Sequence, residues 1–306
     1  MKKAKPAILV TGGAGAIGSA LVEHLLKTMG TTHTIRVFDS DEYGIWQLQQ
    51  KLRGNPNVRY FLGSVRDYPR IEDAMYGVQY VFHTAAYKHV ALCEYNPFDA
   101  VETNVIGTQN TIRAAIASGT VEKFLYISTD KAVNPTSLMG ATKLIGERLV
   151  MAAKYVSGLR PAKFSAARFP NVIQTRGNVF EAWPMQLKQN GKILVTDPEM
   201  TRYFLTIDAA IKFLMEAFEH MEGGEVFIPN LTEADTRKII DVAEEWLSAQ
   251  DVKGEIVFGS PEFGEKLFEK LHTDVEAPYI EVLSDTLRVI RTPGYDFIRW
   301  MPDERK

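Results

Sequence analysis

Short apolar runs alternate with longer amphipathic stretches through the first half of the chain. Ala7 to Val10 has the continuous apolar character of a strand buried on both faces, and Ile17 to Lys27 then repeats apolar residues at helical spacing. The pair recurs at Thr34 to Phe38 and Tyr43 to Arg53. Further strands are predicted at Val58 to Leu62, Tyr80 to His83 and Phe124 to Ile127. Helices are predicted at Arg70 to Tyr76 and Pro97 to Ser118, and another begins near Ser137. This rhythm predicts βαβ units, and hence an α/β fold around a parallel sheet.

After about Ala167 the pattern loses its regularity. Arg168-Phe169-Pro170-Asn171 and a loop at Gln174 to Asn178 precede short apolar segments at Ile193 to Val195 and Val226 to Ile228. Asp235 to Ser248 has helical spacing, Phe258 to Gly264 reads as a loop, and Arg299 to Lys306 as a polar tail. The division expected is a cofactor domain over 1–167 and a smaller C-terminal, mainly substrate-binding lobe over 168–306, from which the chain returns to the first domain.

Composition narrows the class. The 306 residues are 45% hydrophobic and 24% charged, enough for one large domain or two lobes sharing a core. Lys plus Arg number 35 against 38 Asp plus Glu, a net charge of -3 with no dense basic run, which argues against a nucleic-acid partner. No stretch approaches a membrane span, and the apolar run after the basic Met1 to Pro6 is too short for a signal peptide. With the single cysteine, Cys93, this predicts a soluble, cytoplasmic protein. His83 and His89 have no clustered ligands around them, so no metal site is expected.

The first apolar run leads into Thr11-Gly12-Gly13-Ala14-Gly15-Ala16-Ile17-Gly18. Gly13, Gly15 and Gly18 satisfy G-x-G-x-x-G, with a strand before and a helix after. Such a turn lets backbone amides and a helix N-terminus approach a pyrophosphate, and it makes the predicted sheet a Rossmann-type doubly wound one. Asp39 closes the second strand where a carboxylate accepts hydrogen bonds from an adenosine ribose and repels a 2'-phosphate, so NAD is favoured over NADP. Arg36 is near enough in sequence to compensate a phosphate, and Asp39 also suits a cap after the strand.

Ser128-Thr129-Asp130-Lys131 ends a predicted strand, and Met139-Gly140-Ala141-Thr142-Lys143 follows. The second segment has the shape of a dehydrogenase Tyr-x-x-x-Lys motif with methionine in place of tyrosine. Met139 and Lys143 share one helix face, which lets Lys143 reach a nicotinamide ribose. Methionine takes no proton, so another group must receive the one that leaves a sugar hydroxyl with its hydride. Thr129 is the candidate to pass it toward Lys143.

These segments resemble an extended short-chain dehydrogenase/reductase, and within that group the polysaccharide-biosynthesis nucleotide-sugar 4,6-dehydratases. The resemblance covers nearly the whole length. It is carried by Thr11 to Gly18, Phe38 to Glu42, His83 to Val90, Cys93 to Pro97, Thr103 to Thr108, Ser128 to Lys143, Pro198 to Tyr203 and Gly264 to Leu267. Members similar to the soluble domain of membrane-bound UDP-N-acetylglucosamine 4,6-dehydratases carry methionine at the position of Met139. Pro170, where glycine is usual, and Gln174-Thr175-Arg176, where Gly-Ser-Arg is usual, depart from the pattern.

The resemblance implies oxidation of a UDP-sugar at C4 by NAD, elimination of water across C5 and C6, and return of hydride to C6. In that scheme Asp130 is the acid for the departing hydroxyl and Lys131 the C5 base, a role calling for a lowered pKa. Asp67 and Ala85 fall at the family's cofactor contacts, although Asp67 also reads as a helix cap. Lys88, Asn171, Arg176 and Arg202 are the candidate holders of the UDP-sugar. Pro97 to Ser118 and Ser137 to Val156 resemble the family's dimer helices, implying a homodimer or a higher homo-oligomer. A nucleotide-sugar 4-epimerase and a catalytically silent dinucleotide-binding scaffold remain as alternatives. Asp130-Lys131 discriminates the first, which needs no C5 base, and Met139 is the best support for the second.

Overall fold

The computed structural model describes residues 5–157, 162–173, 175, 177–250, 253–261 and 263–293. Arg176 and the expected tail at Arg299 to Lys306 lie outside them. The first half builds strands β1 (Ala7–Thr11), β2 (Thr34–Asp39), β3 (Val58–Leu62), β4 (Val78–His83), β5 (Lys123–Thr129) and β6 (Lys163–Phe169). Between them run α1 (Ala16–Met29), α2 (Glu42–Lys51), α3 (Tyr68–Met75), α4 (Val90–Tyr95), α5 (Pro97–Val101), α6 (Gly107–Ser118) and α7 (Leu138–Val156). Side chains cap several of the helices. Asp41 accepts from Gly44 N at the start of α2, Asp67 from Arg70 N at α3, and Ser137 from Gly140 N at α7.

The remainder supplies β7 (Asn171–Val172), β8 (Lys192–Val195), β9 (Thr201–Leu205), β10 (Val226–Pro229), β11 (Thr236–Lys238), β12 (Glu255–Phe258), β13 (Ile280–Val282) and β14 (Leu287–Ile290). Its helices are α8 (Val179–Asn190), α9 (Ile207–His220) and α10 (Ile239–Gln250). A nine-stranded sheet has the order β13-β14-β10-β6-β5-β4-β1-β2-β3. From β3 across to β10 every neighbouring pair is parallel, and β14 and β13 add an antiparallel edge. The Rossmann-type α/β fold expected from the alternation is the fold observed.

Strand pleating sorts the apolar residues into two cores. Ile8, Val10, Phe82 and Leu125 join Leu21 and Leu25 of α1 and Phe213 and Leu214 of α9 on one face. Leu9, Val81, Phe124 and Tyr126 meet Ile112 of α6 and Val150 and Ala153 of α7 on the other. The chain beyond Phe169 therefore contributes α9, β10, β13 and β14 to the Rossmann core. A third core, around Trp183, Ile193, Met200 and Val242, belongs to a smaller lobe of α8, α10 and the two minor sheets.

Two expected helices differ. Asp235 to Ser248 begins as a helix only at Ile239, because Thr236 to Lys238 pairs with Thr201 to Tyr203 as a strand. Pro97 to Ser118 is interrupted by a π-helical turn over Glu102–Ile106, which turns Asn104 inward. Asn104 Oδ1 accepts from Tyr87 N at 2.7 Å, while its Nδ2 donates to Tyr87 O (2.9 Å) and Thr142 Oγ1 (3.0 Å). One side chain so ties the loop after β4 to α7, and it sets the distance between two walls of the cleft described next.

Candidate active site

In an open parallel sheet the ligand crevice lies beyond the carboxyl ends of the strands, where the strand order reverses. Here that point lies between β1 and β4, and it opens into a cleft of about 1570 Å³. The volume exceeds the roughly 300–1,000 Å³ of a site for one drug-sized ligand. Both lobes line it: Gly12, Gly15 and Asp39 from one, Asn171, Phe204 and Glu269 from the other.

At the first end, Gly12 has φ +65°, and a Cβ there would lie 2.7 Å from Ala85 N. A Cβ on Gly18 would strike the Gly12 carbonyl oxygen, so the turn and α1 pack too closely for any side chain. Gly15, Ala16 and Ile17 line the cleft, and Gly15 starts α1 with no side-chain cap, leaving the helix N-terminus open to an anion. Gly13 packs on Val37 instead. Asp39 stands in the wall, its Oδ2 accepting from Ala14 N (2.9 Å) and its Oδ1 from Asp41 N (3.0 Å). Arg36 turns away: Nη1 donates to Ala74 O (2.8 Å) and the guanidinium sits 5.6 Å from the Phe61 ring centroid. Asp67 caps α3 and also lines the cleft, so both readings of it describe the same placement. Ala85 and Lys88 line the cleft as well.

In the middle, α7 carries Met139 and Lys143 to the cleft on one face. Met139 is 4% exposed and packs against Cys93 and Ala100, so it is core and wall together. Lys143 Nζ donates to Ile127 O at 2.5 Å and lies 4.4 Å from the Tyr126 ring centroid. Burial pulls its pKa down to about 8, against the opposing pull of Glu147 one helical turn on. Lysine in the unfolded chain keeps its proton to near 10.5, so between about pH 8 and 10.5 the unfolded state binds more protons. The Lys143 contribution to stability therefore rises with pH across that window. Urea unfolding at stepped pH should show this slope in the wild type and lose it in Lys143→Met; an identical slope in both would assign it elsewhere.

At the far end, Thr129, Lys131, Asn171, Arg202, Glu265, Lys266 and Glu269 converge on the wall. Thr129 Oγ1 donates to Asp130 Oδ1 (2.9 Å). Asp130 is fully buried, and its Oδ2 has no hydrogen-bond partner among the described residues. Lys131 Nζ reaches Asp130 Oδ1 (3.1 Å), Asn171 Oδ1 (3.3 Å) and Glu269 Oε1 (3.7 Å). This corrects the expectation of a lowered Lys131 pKa. Burial does push it down, but the carboxylates of Asp130 and Glu269 outweigh that and Arg202, leaving it above the ordinary lysine value. Lys131 is an ammonium in this state.

Arg202 is buried in the wall with Nη1 donating to Thr201 O (2.8 Å) and Leu267 O (3.1 Å). Of the expected substrate holders, Lys88, Asn171 and Arg202 thus line one cleft, and Arg176 falls outside the described residues. Sequence reasoning missed Glu265, Lys266 and Glu269 as site residues. The signal was Gly264, whose φ of +84° lets its loop dock on the start of α7, with Thr136 Oγ1 donating to Gly264 O (2.8 Å). Among the described residues no group of His, Cys, Asp and Glu forms a metal site, and no helix is long and apolar enough to cross a membrane.

The polysaccharide biosynthesis protein family matches residues 8–290. An uncharacterized membrane protein of Methanocaldococcus jannaschii is 44% identical over 284 residues, 91% of this chain and 84% of that protein. A UDP-glucose 4-epimerase of Rickettsia rickettsii is 34% identical over 290 residues, 92% of this chain and 82% of its own. A UDP-N-acetylglucosamine 4,6-dehydratase (inverting) of Campylobacter jejuni is 38% identical over 240 residues, 78% of this chain and 70% of its own. The crystal structure of Pen from Bacillus thuringiensis superposes with a TM-score of 0.87 at 37% identity, over 96% of this chain and 90% of that one.

Proposed function

The chain belongs to the polysaccharide biosynthesis protein family, and from that premise we propose that it is an NAD-dependent nucleotide-sugar 4,6-dehydratase, a hydro-lyase acting on UDP-N-acetylglucosamine. The carrying observation is that one cleft joins a dinucleotide turn to Thr129, Lys131, Asn171 and Glu269, with Asp130 enclosed behind them. An acid and base set beside a redox site is what dehydration requires and simple epimerisation does not. NAD, when bound, supplies the reversible hydride acceptor for C4 and donor for C6.

The glycine turn and α1 N-terminus fit a pyrophosphate, and Asp39 fits a ribose diol. With Arg36 bonded to Ala74 O away from the wall, that residue provides no cation for a 2'-phosphate, which supports NAD over NADP. Thr129 receives the C4 hydroxyl proton and passes it toward Lys143, whose lowered pKa makes its neutral form accessible near pH 8. Lys131 takes the C5 proton after giving up its own, and Asp130 protonates the departing C6 oxygen. Arg202, Lys88 and Asn171 hold the UDP-sugar. Exposed Leu92, Tyr95 and Phe98 on α4 and α5, with Ile145 and Tyr155 on α7, support pairing of two copies through these helices. Cys93 is buried and unpaired, which supports a reducing, cytoplasmic location.

The test is an NMR time course with UDP-N-acetylglucosamine and catalytic NAD in deuterated buffer. A new C6 methyl group with deuterium at C5 is the expected product. The likeness to the Rickettsia rickettsii epimerase favours a second reading, for which the same spectra would show inversion at C4 with C6 still hydroxylated.

A further inference from the structure

The Lys131 ammonium donates to Asp130 Oδ1 and Asn171 Oδ1 and stands in an ion pair with Glu269 Oε1 at 3.7 Å. In that state it has no lone pair for a carbon-bound proton. It must first give a proton away, and an amide oxygen such as that of Asn171 is no proton store at neutral pH. Two carboxylates remain, in unlike settings. Asp130 is fully enclosed, and its Oδ1 is shared between the Thr129 hydroxyl and Lys131. Glu269 is also buried, but it stands in the cleft wall, and its Oε2 has no hydrogen-bond partner among the described residues. Lys266 Nζ lies 3.4 Å from that oxygen and is itself anchored on Val133 O at 2.7 Å. A buried carboxylate oxygen with an ion-pair partner but no hydrogen bond calls for a reason.

We propose that Glu269 is a positioning residue of the elimination, which holds the Lys131 ammonium at the cleft wall and takes its proton so that Lys131 can receive the one on C5. The inference rests on the dehydratase reading above. First the Lys131 N–H bond breaks and a Glu269 O–H bond forms. The Lys131 lone pair then takes the C5 proton, and the C5–H electron pair becomes the C5–C6 double bond. The C6–O bond breaks with its electrons on oxygen, which takes from Asp130 the proton that left the C4 hydroxyl in the oxidation, returned from Lys143 through the Thr129 hydroxyl bonded to Asp130 Oδ1, and leaves as water. When C5 recovers its proton from Lys131, Glu269 returns the stored one, and Asp130 is again a carboxylate. No proton is gained or lost by the set.

Glu269→Gln preserves shape and removes the proton acceptor. Two measurements on the holoenzyme separate the steps. One is deuterium wash-in at C5 of added UDP-4-keto-6-deoxy-N-acetylhexosamine, which needs no redox chemistry. The other is the near-ultraviolet absorbance of reduced nicotinamide in a single turnover with UDP-N-acetylglucosamine. We expect C5 exchange to slow by about tenfold or more, the C4 oxidation rate to stay within about twofold, and reduced nicotinamide to persist. Glu269→Asp, which keeps the carboxylate, should recover most of the exchange. Wild-type exchange rates in Glu269→Gln overturn the proposal, as does equal loss of exchange and C4 oxidation or failure of the aspartate variant to recover. A wild-type protein that neither reduces the nicotinamide nor forms a C6 methyl group overturns the dehydratase reading itself, before any variant is made.

Discussion

Lys131→Met is expected to lower the dehydration rate by about 10³-fold, in the middle of the range for loss of a positioned acid or base, while C4 oxidation continues. Methionine keeps the length and apolar stem of lysine and removes only its titratable nitrogen. The partners explain the step selectivity. Asp130, Asn171 and Glu269 surround the nitrogen, whereas Lys143, at its own site under Ile127 O and over the Tyr126 ring, is untouched. Reduced nicotinamide should therefore build up in the variant with no C6 methyl product. Unimpaired methyl formation would remove Lys131 from the elimination. A variant that interconverts C4 epimers as fast as the wild type would move the whole protein to the epimerase reading.

The largest loss of stability is expected from Arg168→Met, about 3–5 kcal/mol. Arg168 is 1% exposed and joins two buried carboxylates: Glu147 through Nε (2.8 Å) and Nη2 (2.7 Å), and Glu276 through Nη1 (2.9 Å) and Nη2 (2.8 Å). Glu147 also accepts from the Ser128 hydroxyl, so the network ties α7 and the end of β5 to the segment before β13. Deleting the guanidinium leaves both carboxylates buried without their charge partner.

The pH dependence gives a second check. Burial pushes the Glu276 pKa up, but the Arg168 hydrogen bonds and charge and the Thr273 hydrogen bonds bring it below the ordinary glutamate value of 4.5. Its contribution is thus fully present above the unfolded pKa and is lost as pH falls through the folded one. Without Arg168 the balance reverses toward the protonated form, so the gap between variant and wild type should shrink as pH falls from about 7 toward 5. Denaturant unfolding at the two pH values measures it. A gap that stays constant or widens would place the cost of the substitution outside the carboxylates.

Local pattern fixed the cofactor half of the molecule in advance. Strands β1 to β5, helices α1 to α3, and the glycine turn with its strand and helix context follow from runs and spacings a few residues long. Thr129 to Lys131 and Met139 to Lys143 were also visible, because a strand end and the first turn of a helix hold them near one another in sequence. Helices α8 and α9 and the edge strands β13 and β14 were not foreseen. Their stability comes from burial of Trp183 of α8 against Ile193 and Val242, of α9 against α1, and from pairing of β14 with β10, contacts that no local window contains.

The sequence by itself therefore determined the family, the glycine turn and the candidate pair Asp130-Lys131, since each is written in adjacent residues. Tertiary structure decided the charge of Lys131. A lysine's proton affinity depends on what stands within a few ångströms in a medium of low dielectric. For Lys131 the burial, and the charges of Glu269 and Arg202 that add to that of the adjacent Asp130, come from residues 138 and 71 positions away along the chain. The same holds for Arg36, whose position beside Asp39 in sequence suggested a phosphate ligand until the pleat of β2 turned it toward Phe61 and Ala74. Sequence order carries residue types, and only the fold assigns their distances.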